Sequence, residues 1–301
     1  MNETERLLGL LNETFPDLAA MPPADARAAA DSRVRPAPNL DDVARVDDVS
    51  IEAGAHVIPT RTYHPHTRVV GAPATVFAHG GGFLHGSIAS HDGFCRRWAR
   101  NTGAPVISVE YRVATEAPPP AARDDVLAAV CWAQDHGIAD HGLVLAGDSS
   151  GATLAASAAV ALRDRGDTTV TGQVLLYPFL DPSMSTESHC TRGVGFFVTD
   201  RLLAYYWRTY LAGRSANDPD VTPLAVDDLT GLPPAIIVTA GLDPLRDEGE
   251  LYAQRLHDAG VPVVLRRHPD QFHGFLTILG YGPAASAAEL LWSDIRTLSP
   301  A

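Results

Sequence analysis

The stretch LVLAGDSSGATLAASAAVALRDR, residues 143–165, decides the fold. Its first four residues, Leu143–Ala146, are a short unbroken apolar run of the kind a doubly covered strand requires. Its second half, from Gly151 to Arg165, is rich in Ala and Leu and reads as a helix. Between them Gly147-Asp148-Ser149-Ser150-Gly151 makes a G-x-S-x-G turn. Glycines on either side let the backbone turn sharply and lift the Ser149 hydroxyl above the end of a sheet, at a helix N-terminus. Alone the motif is weak, since a helix cap among loop glycines has the same letters. The strand–turn–helix context makes Ser149 a candidate nucleophile.

Outward from this stretch the same rhythm repeats. Apolar, β-branched runs occur at Ala74–Ala78, Pro105–Val109, Val170–Leu176, Ala235–Ala240 and Val261–Leu265. Helix-like segments fall between them at Ser90–Thr102, Ala121–His136 and Arg246–Ala259, and a last amphipathic helix is expected over Ala284–Leu298. Short apolar strands alternating with helices predict an α/β fold, a mostly parallel sheet flanked by helices. Val46–Tyr63 is expected to add antiparallel edge strands. The segment 178–232 is too long for a plain crossover and carries FFVTDRLLAYYWRTYL at Phe196–Leu211; it predicts a helical cap over the carboxyl ends of the strands. Residues 1–45 are expected to form an N-terminal cap segment. Leu7, Leu8, Leu10 and Leu11 give it a helical stretch, and Met21–Pro38 reads as a linker or irregular cover. The catalytic domain then runs over 46–301.

Composition bounds the function. The 301 residues carry a net charge of −13, which disfavours nucleic acid and anionic membrane as partners. All basic residues are Arg, so lysine-dependent chemistry is excluded. Three scattered cysteines, Cys95, Cys131 and Cys190, form no CxxC pair. With no visible signal peptide or membrane-length apolar run, a cytoplasmic location is expected. Twelve histidines raise the question of a metal, but the one close pair, His64 and His66, lacks a third ligand, and no metal or other cofactor is expected. No glycine pattern marks a nucleotide site.

His79-Gly80-Gly81-Gly82-Phe83 follows the run at Ala74–Ala78. Three consecutive glycines can aim several N–H groups into one space, which acyl transfer needs because negative charge develops on the carbonyl oxygen. His79 is read as a loop-fixing side chain. In this fold the acid and base follow the serine in the order Asp or Glu, then His. Asp243 follows the run at Ala235–Ala240 and is the candidate acid; Asp247 and Glu248, at a helix start, are rivals whose ordinary role is capping. After Val261–Leu265 come His268, close to the strand end, and His273, beside Gly274.

These motifs together resemble the hormone-sensitive lipase-like family of α/β-hydrolases, in its bacterial carboxylesterase branch. The likeness rests on HGGGF (79–83), YRVATEAPPPAARDD (111–125), GDSSG (147–151), DPLRDEG (243–249) and HGF (273–275), which run in the family's order. The HGF match favours His273 over His268. The resemblance implies a Ser149–Asp243–His273 triad, with the N–H groups of Gly81, Gly82 and Ser150 holding an oxyanion and with His79, Gly80 and Asp148 supporting the loop or the elbow. It implies a carboxylic ester hydrolase acting on small to medium acyl esters. A metabolite-specific deacetylase or amidase is the alternative, and a non-catalytic small-molecule receptor a more distant one. The family usually has Ala after the nucleophile; Ser150 keeps the N–H, and its hydroxyl is expected to alter the polarity of the acyl pocket. Phe83, Phe196 and Phe197 are assigned to the substrate pocket, although the aromatics of the insertion suit a cap core equally well. A small-molecule ester is the expected partner, and a homodimer is left open.

Overall fold

The computed structural model describes residues 1–298. Its strands are β1 (Arg45–Ala53), β2 (His56–His64), β3 (Ala74–Ala78), β4 (Val106–Val109), β5 (Leu143–Asp148), β6 (Val170–Leu176), β7 (Ala235–Leu242) and β8 (Val263–Phe272). They form one sheet in the order β1-β2-β4-β3-β5-β6-β7-β8. The pairs β1–β2 and β2–β4 are antiparallel and all others parallel. The expected edge strands are therefore present, joined by a two-residue turn at Gly54 and Ala55. Every residue of β3, β4 and β5 is buried, which is why those runs are apolar without alternation.

The helices are α1 (Glu3–Thr14), α2 (Pro23–Asp31), α3 (Ile88–Thr102), α4 (Ala121–Asp135), α5 (Ser150–Asp164), α6 (Glu187–Arg192), α7 (Asp200–Leu211), α8 (Arg246–Asp258) and α9 (Ala285–Ile295). One face of the sheet is covered by α3 and α9, whose Phe94, Trp98 and Trp292 pack around Phe77 of β3. The other face is covered by α4, α5 and α8. Ala and small residues all around α5 let it bury almost its whole length between sheet and neighbours.

Two expectations are corrected. Met21–Pro38 is no linker throughout: it contains α2, which tolerates Pro23 because a first-turn residue needs no N–H bond. Ala26 and Ala30 of α2 are buried in the core, so packing rather than periodicity establishes this nine-residue helix. The last strand is longer than Val261–Leu265 and runs on to Phe272 through Pro269, which an edge strand accommodates.

The N-terminal segment and the insertion touch each other. Asn12 of α1 donates to the carbonyl of Gly195 and accepts from the N–H of Phe197, at 2.8 and 3.0 Å. Asp17 pairs with Arg201 at 2.7 Å, and the Tyr205 hydroxyl donates to the carbonyl of Met21.

The start of α5 is pressed against the end of β3: a Cβ at Gly151 would collide with the carbonyl oxygens of Ala78 and His79. Gly151→Ala should therefore lower stability by about 1–3 kcal/mol, the usual cost of overpacking, read as a lower denaturant midpoint with an unchanged m-value. A wild-type midpoint would show that α5 can shift away at no cost.

Candidate active site

Ser149 follows β5 directly. Its φ of 55° and ψ of −123° lie in a region side chains avoid, at a cost of order 1–3 kcal/mol. Four backbone bonds hold it there: its N–H donates to the Leu176 carbonyl at 2.9 Å, and its carbonyl accepts from Ala152, Phe179 and Thr153 at 3.1, 3.3 and 3.4 Å.

The acid and base arrive by sheet register. Leu242 and Phe272, the last residues of β7 and β8, are partners across the parallel pair. Asp243 and His273 are the next residues of each strand and emerge side by side. Asp243 Oδ2 lies 2.8 Å from His273 Nδ1, and His273 Nε2 lies 2.9 Å from Ser149 Oγ. The other Asp243 oxygen accepts the Leu245 N–H at 2.9 Å, which aims the carboxylate. The Tyr177 ring meets the imidazole edge-on at 4.9 Å. Burial disfavours a charged His273, but the Asp243 carboxylate outweighs it and holds the pKa above the ordinary histidine value.

The rivals have other occupations. His268 lies inside β8 with its ring beside Phe275. Neither Asp247 nor Glu248 caps α8 as expected of them. Asp247 accepts the Ser188 N–H, while the fully buried Glu248 accepts from Leu180 and pairs with His189 of α6 at 3.2 Å. They fasten the insertion to the loop that carries Asp243.

The glycine loop leaves β3, the neighbour of β5, at His79. The His79 carbonyl accepts the Tyr111 hydroxyl at 2.7 Å, and its ring stacks on Tyr111 at 4.2 Å. His79 Nδ1 donates to the Gly80 carbonyl at 2.9 Å, and Gly80 N–H donates to Asp148 at 2.8 Å. Gly81 has φ of 129°, and a Cβ there would strike the His85 carbonyl, so only glycine fits this bend. Among the described residues the N–H groups of Gly81, Gly82 and Ser150 have no acceptor. The Ser150 side chain is fully buried beside the Tyr111 phenol, so its hydroxyl faces the loop support and not the pocket.

A cavity of about 220 Å³ opens over Ser149 and His273. Its walls include Gly81, Gly82, Phe197, Val198, Leu202, Leu203 and Tyr206, together with Phe15, Ala30, Asp31 and Val34 of the N-terminal segment. Of the three phenylalanines assigned to the pocket, only Phe197 lines it. Phe83 is corrected: it is wholly buried, stacked on Tyr210 at 3.7 Å and packed on Phe179 and Trp207. Phe196 is corrected too: it lies under the Arg192 guanidinium at 5.1 Å. The sequence reading missed His85, whose Nε2 is 2.7 Å from the Tyr206 hydroxyl, and His91, whose Nε2 is 3.1 Å from Asp148. Their only signal was position shortly after the glycine loop. His64 and His66 bond Asp47 and the Asp41 carbonyl, and among the described residues no group of three or more His, Cys, Asp or Glu could hold a metal. No described helix is long and apolar enough to cross a membrane.

The family described as the alpha/beta hydrolase fold matches residues 75–277. Carboxylic ester hydrolase LipN of Mycobacterium tuberculosis is 38% identical, over 97% of this chain and 80% of its own. Carboxylesterase NlhH of the same species is 34% identical, over 95% and 93%. Among solved structures, an ester hydrolase from the metagenome of Lake Arreo, complexed with a bipyridine phosphonate derivative, superposes with a TM-score of 0.90 at 34% identity, covering 99% of this chain and 98% of that one. The chain belongs to the α/β-hydrolase superfamily, in the hormone-sensitive lipase-like family of bacterial esterases. It is a carboxylic ester hydrolase.

Because Phe197 forms cavity wall and Phe196 does not, Phe197→Ala should change the ratio of butyrate to octanoate ester turnover, by about 1 kcal/mol or less per methylene accommodated. Phe196→Ala should keep the wild-type profile. Equal changes in both variants would place the acyl chain elsewhere.

Proposed function

We propose that the enzyme hydrolyses small to medium acyl esters through Ser149, His273 and Asp243. The observation that carries this reading is the unbroken hydrogen-bonded line from Asp243 through His273 to Ser149 Oγ. Asp243 can only accept, so Nδ1 of the neutral ring carries its proton and Nε2 is free to take the one on Ser149. The serine oxygen attacks the ester carbonyl as His273 Nε2 receives the proton. Charge moves to the carbonyl oxygen, where the N–H groups of Gly81, Gly82 and Ser150 receive it. His273 returns the proton to the departing alcohol. Water, deprotonated by the same imidazole, then attacks the acyl-serine and frees the acid.

The cavity, at about 220 Å³, is below the roughly 300–1,000 Å³ typical of sites for drug-sized ligands. That supports compact acyl and alcohol groups. The N-terminal segment and the insertion act together as the cap, with Phe15 and Phe197 meeting edge to face at 5.1 Å in its inner wall.

Ser149→Ala and His273→Ala should each cost on the order of 10⁴-fold or more in kcat, while His268→Ala stays near wild type. A fluorophosphonate should label Ser149 and leave Ser150 free; label on Ser150 would refute the assignment. Activity needs the neutral imidazole, so it should rise with pH through an apparent pKa above the reference histidine value of about 6.5. Asp243→Asn removes the charge that raises it, so residual activity should titrate at lower pH. An acid limb that does not move would separate Asp243 from His273.

A further inference from the structure

His91, near the start of α3, lines the cavity and has no part in the triad. Its ring lies between a carboxylate and a serine hydroxyl. Nε2 lies 3.1 Å from a carboxylate oxygen of Asp148. Nδ1 lies 2.8 Å from Ser90 Oγ, which also lies 2.8 Å from the Ser87 carbonyl oxygen. Nε2 therefore carries a proton, and the buried carboxylate beside it favours the doubly protonated, cationic ring.

Its partner connects it to the chemistry. The Asp148 oxygen that meets His91 also accepts the Gly80 N–H at 2.8 Å, and Gly80 precedes Gly81 and Gly82. Asp148 is buried and immediately precedes Ser149. We propose that the His91 imidazolium is a positioning residue for the oxyanion hole, keeping Asp148 ionised so that it pins Gly80 and aims the N–H groups of Gly81 and Gly82 relative to Ser149. This rests on those two glycines being the oxyanion donors.

The groups around His91 agree. From β5 it faces Asp148, and from the end of β4 the Glu110 carboxylate; from the loop after β3 it faces His79, stacked at 5.8 Å, and His85. Burial and the charge on His91 push His79 down to about 3 and His85 down to about 4, so both are neutral at working pH. Burial alone would lower His91; the Asp148 charge and hydrogen bond reverse this and raise it. Burial alone would raise Asp148; His91 and the Gly80 N–H reverse this and lower it. As pH rises and His91 loses its proton, the carboxylate loses its counter-charge and its orientation under the glycine loop is held less firmly. Activity then falls on the alkaline side, opposite to the limb set by His273.

The test is His91→Gln, which can still donate to Asp148 but carries no charge, beside His91→Ala. Nitrophenyl acetate kinetics are measured across pH, with melting temperature as the check on folding. Both variants should lose kcat, on the order of 10- to 100-fold, with KM little changed, since only transition-state charge is affected. His91→Gln should lose less than His91→Ala, and the alkaline fall of the wild type should vanish in it. A wild-type kcat in folded His91→Gln, or an alkaline limb that survives there, overturns the proposal. Ser149→Ala is run in parallel: activity surviving in it defeats the serine mechanism itself, whereas loss there with full kcat in His91→Gln defeats only the role of His91.

Discussion

Ser149 occupies a backbone conformation that a serine in an unconstrained turn would leave at once. It stays because β5 ends there, β6 supplies the Leu176 carbonyl for its N–H, and α5 begins one residue later, packed against β3 through Gly151. Relaxing the residue would require withdrawing a buried helix from a buried strand, and the dense packing of that core forbids it. The strain puts the hydroxyl at the point where Asp243 and His273 leave β7 and β8. The hydrogen-bonded line from Asp243 through His273 to Ser149 is thus a consequence of where parallel strands end.

The same region contains two buried carboxylate–histidine pairs. Asp148 meets His91 under the glycine loop, and Glu248 meets His189 beneath the insertion. Each carboxylate also accepts a backbone N–H, from Gly80 and Leu180 respectively. A buried pair of this kind is weak evidence for stability, and what each one visibly does is connect two segments. One ties the glycine loop to the elbow. The other ties the insertion to the loop carrying Asp243.

The cavity is shared between parts of the chain far apart in sequence. Phe15 and Val34 come from the first forty residues, Phe197 and Tyr206 from the insertion, and Gly81 and Gly82 from the loop after β3. Asn12 bridges the first two through both of its amide atoms. Pocket shape therefore depends on contacts between surface segments, while the reacting groups depend on the sheet. That division lets one vary while the other stays.

Chemistry-bearing turns and continuous apolar strands could be read without coordinates because both are local. The run Leu143–Ala146 is apolar because both its faces are covered, and Gly147–Gly151 is glycine-rich because the elbow admits no side chains at its ends. The sheet, Ser149 and the strand ends carrying Asp243 and His273 were accordingly legible. Direction was not. Phe196 and Phe197 are adjacent and chemically identical, yet one turns to Arg192 and the other to the cavity, because Phe197 has φ of 75° and its N–H is held by Asn12. Phe83 directly follows the glycine loop and still turns away, into a stack with Tyr210. The helix α2 and the contact of His91 with Asp148 were hidden for the same reason: each depends on partners brought close only by folding. The sequence by itself determined which residues could react and the order in which the sheet would present them. Only the tertiary structure decided which side chains face the substrate and which charges are held, since burial and hydrogen-bond partners belong to the space between elements.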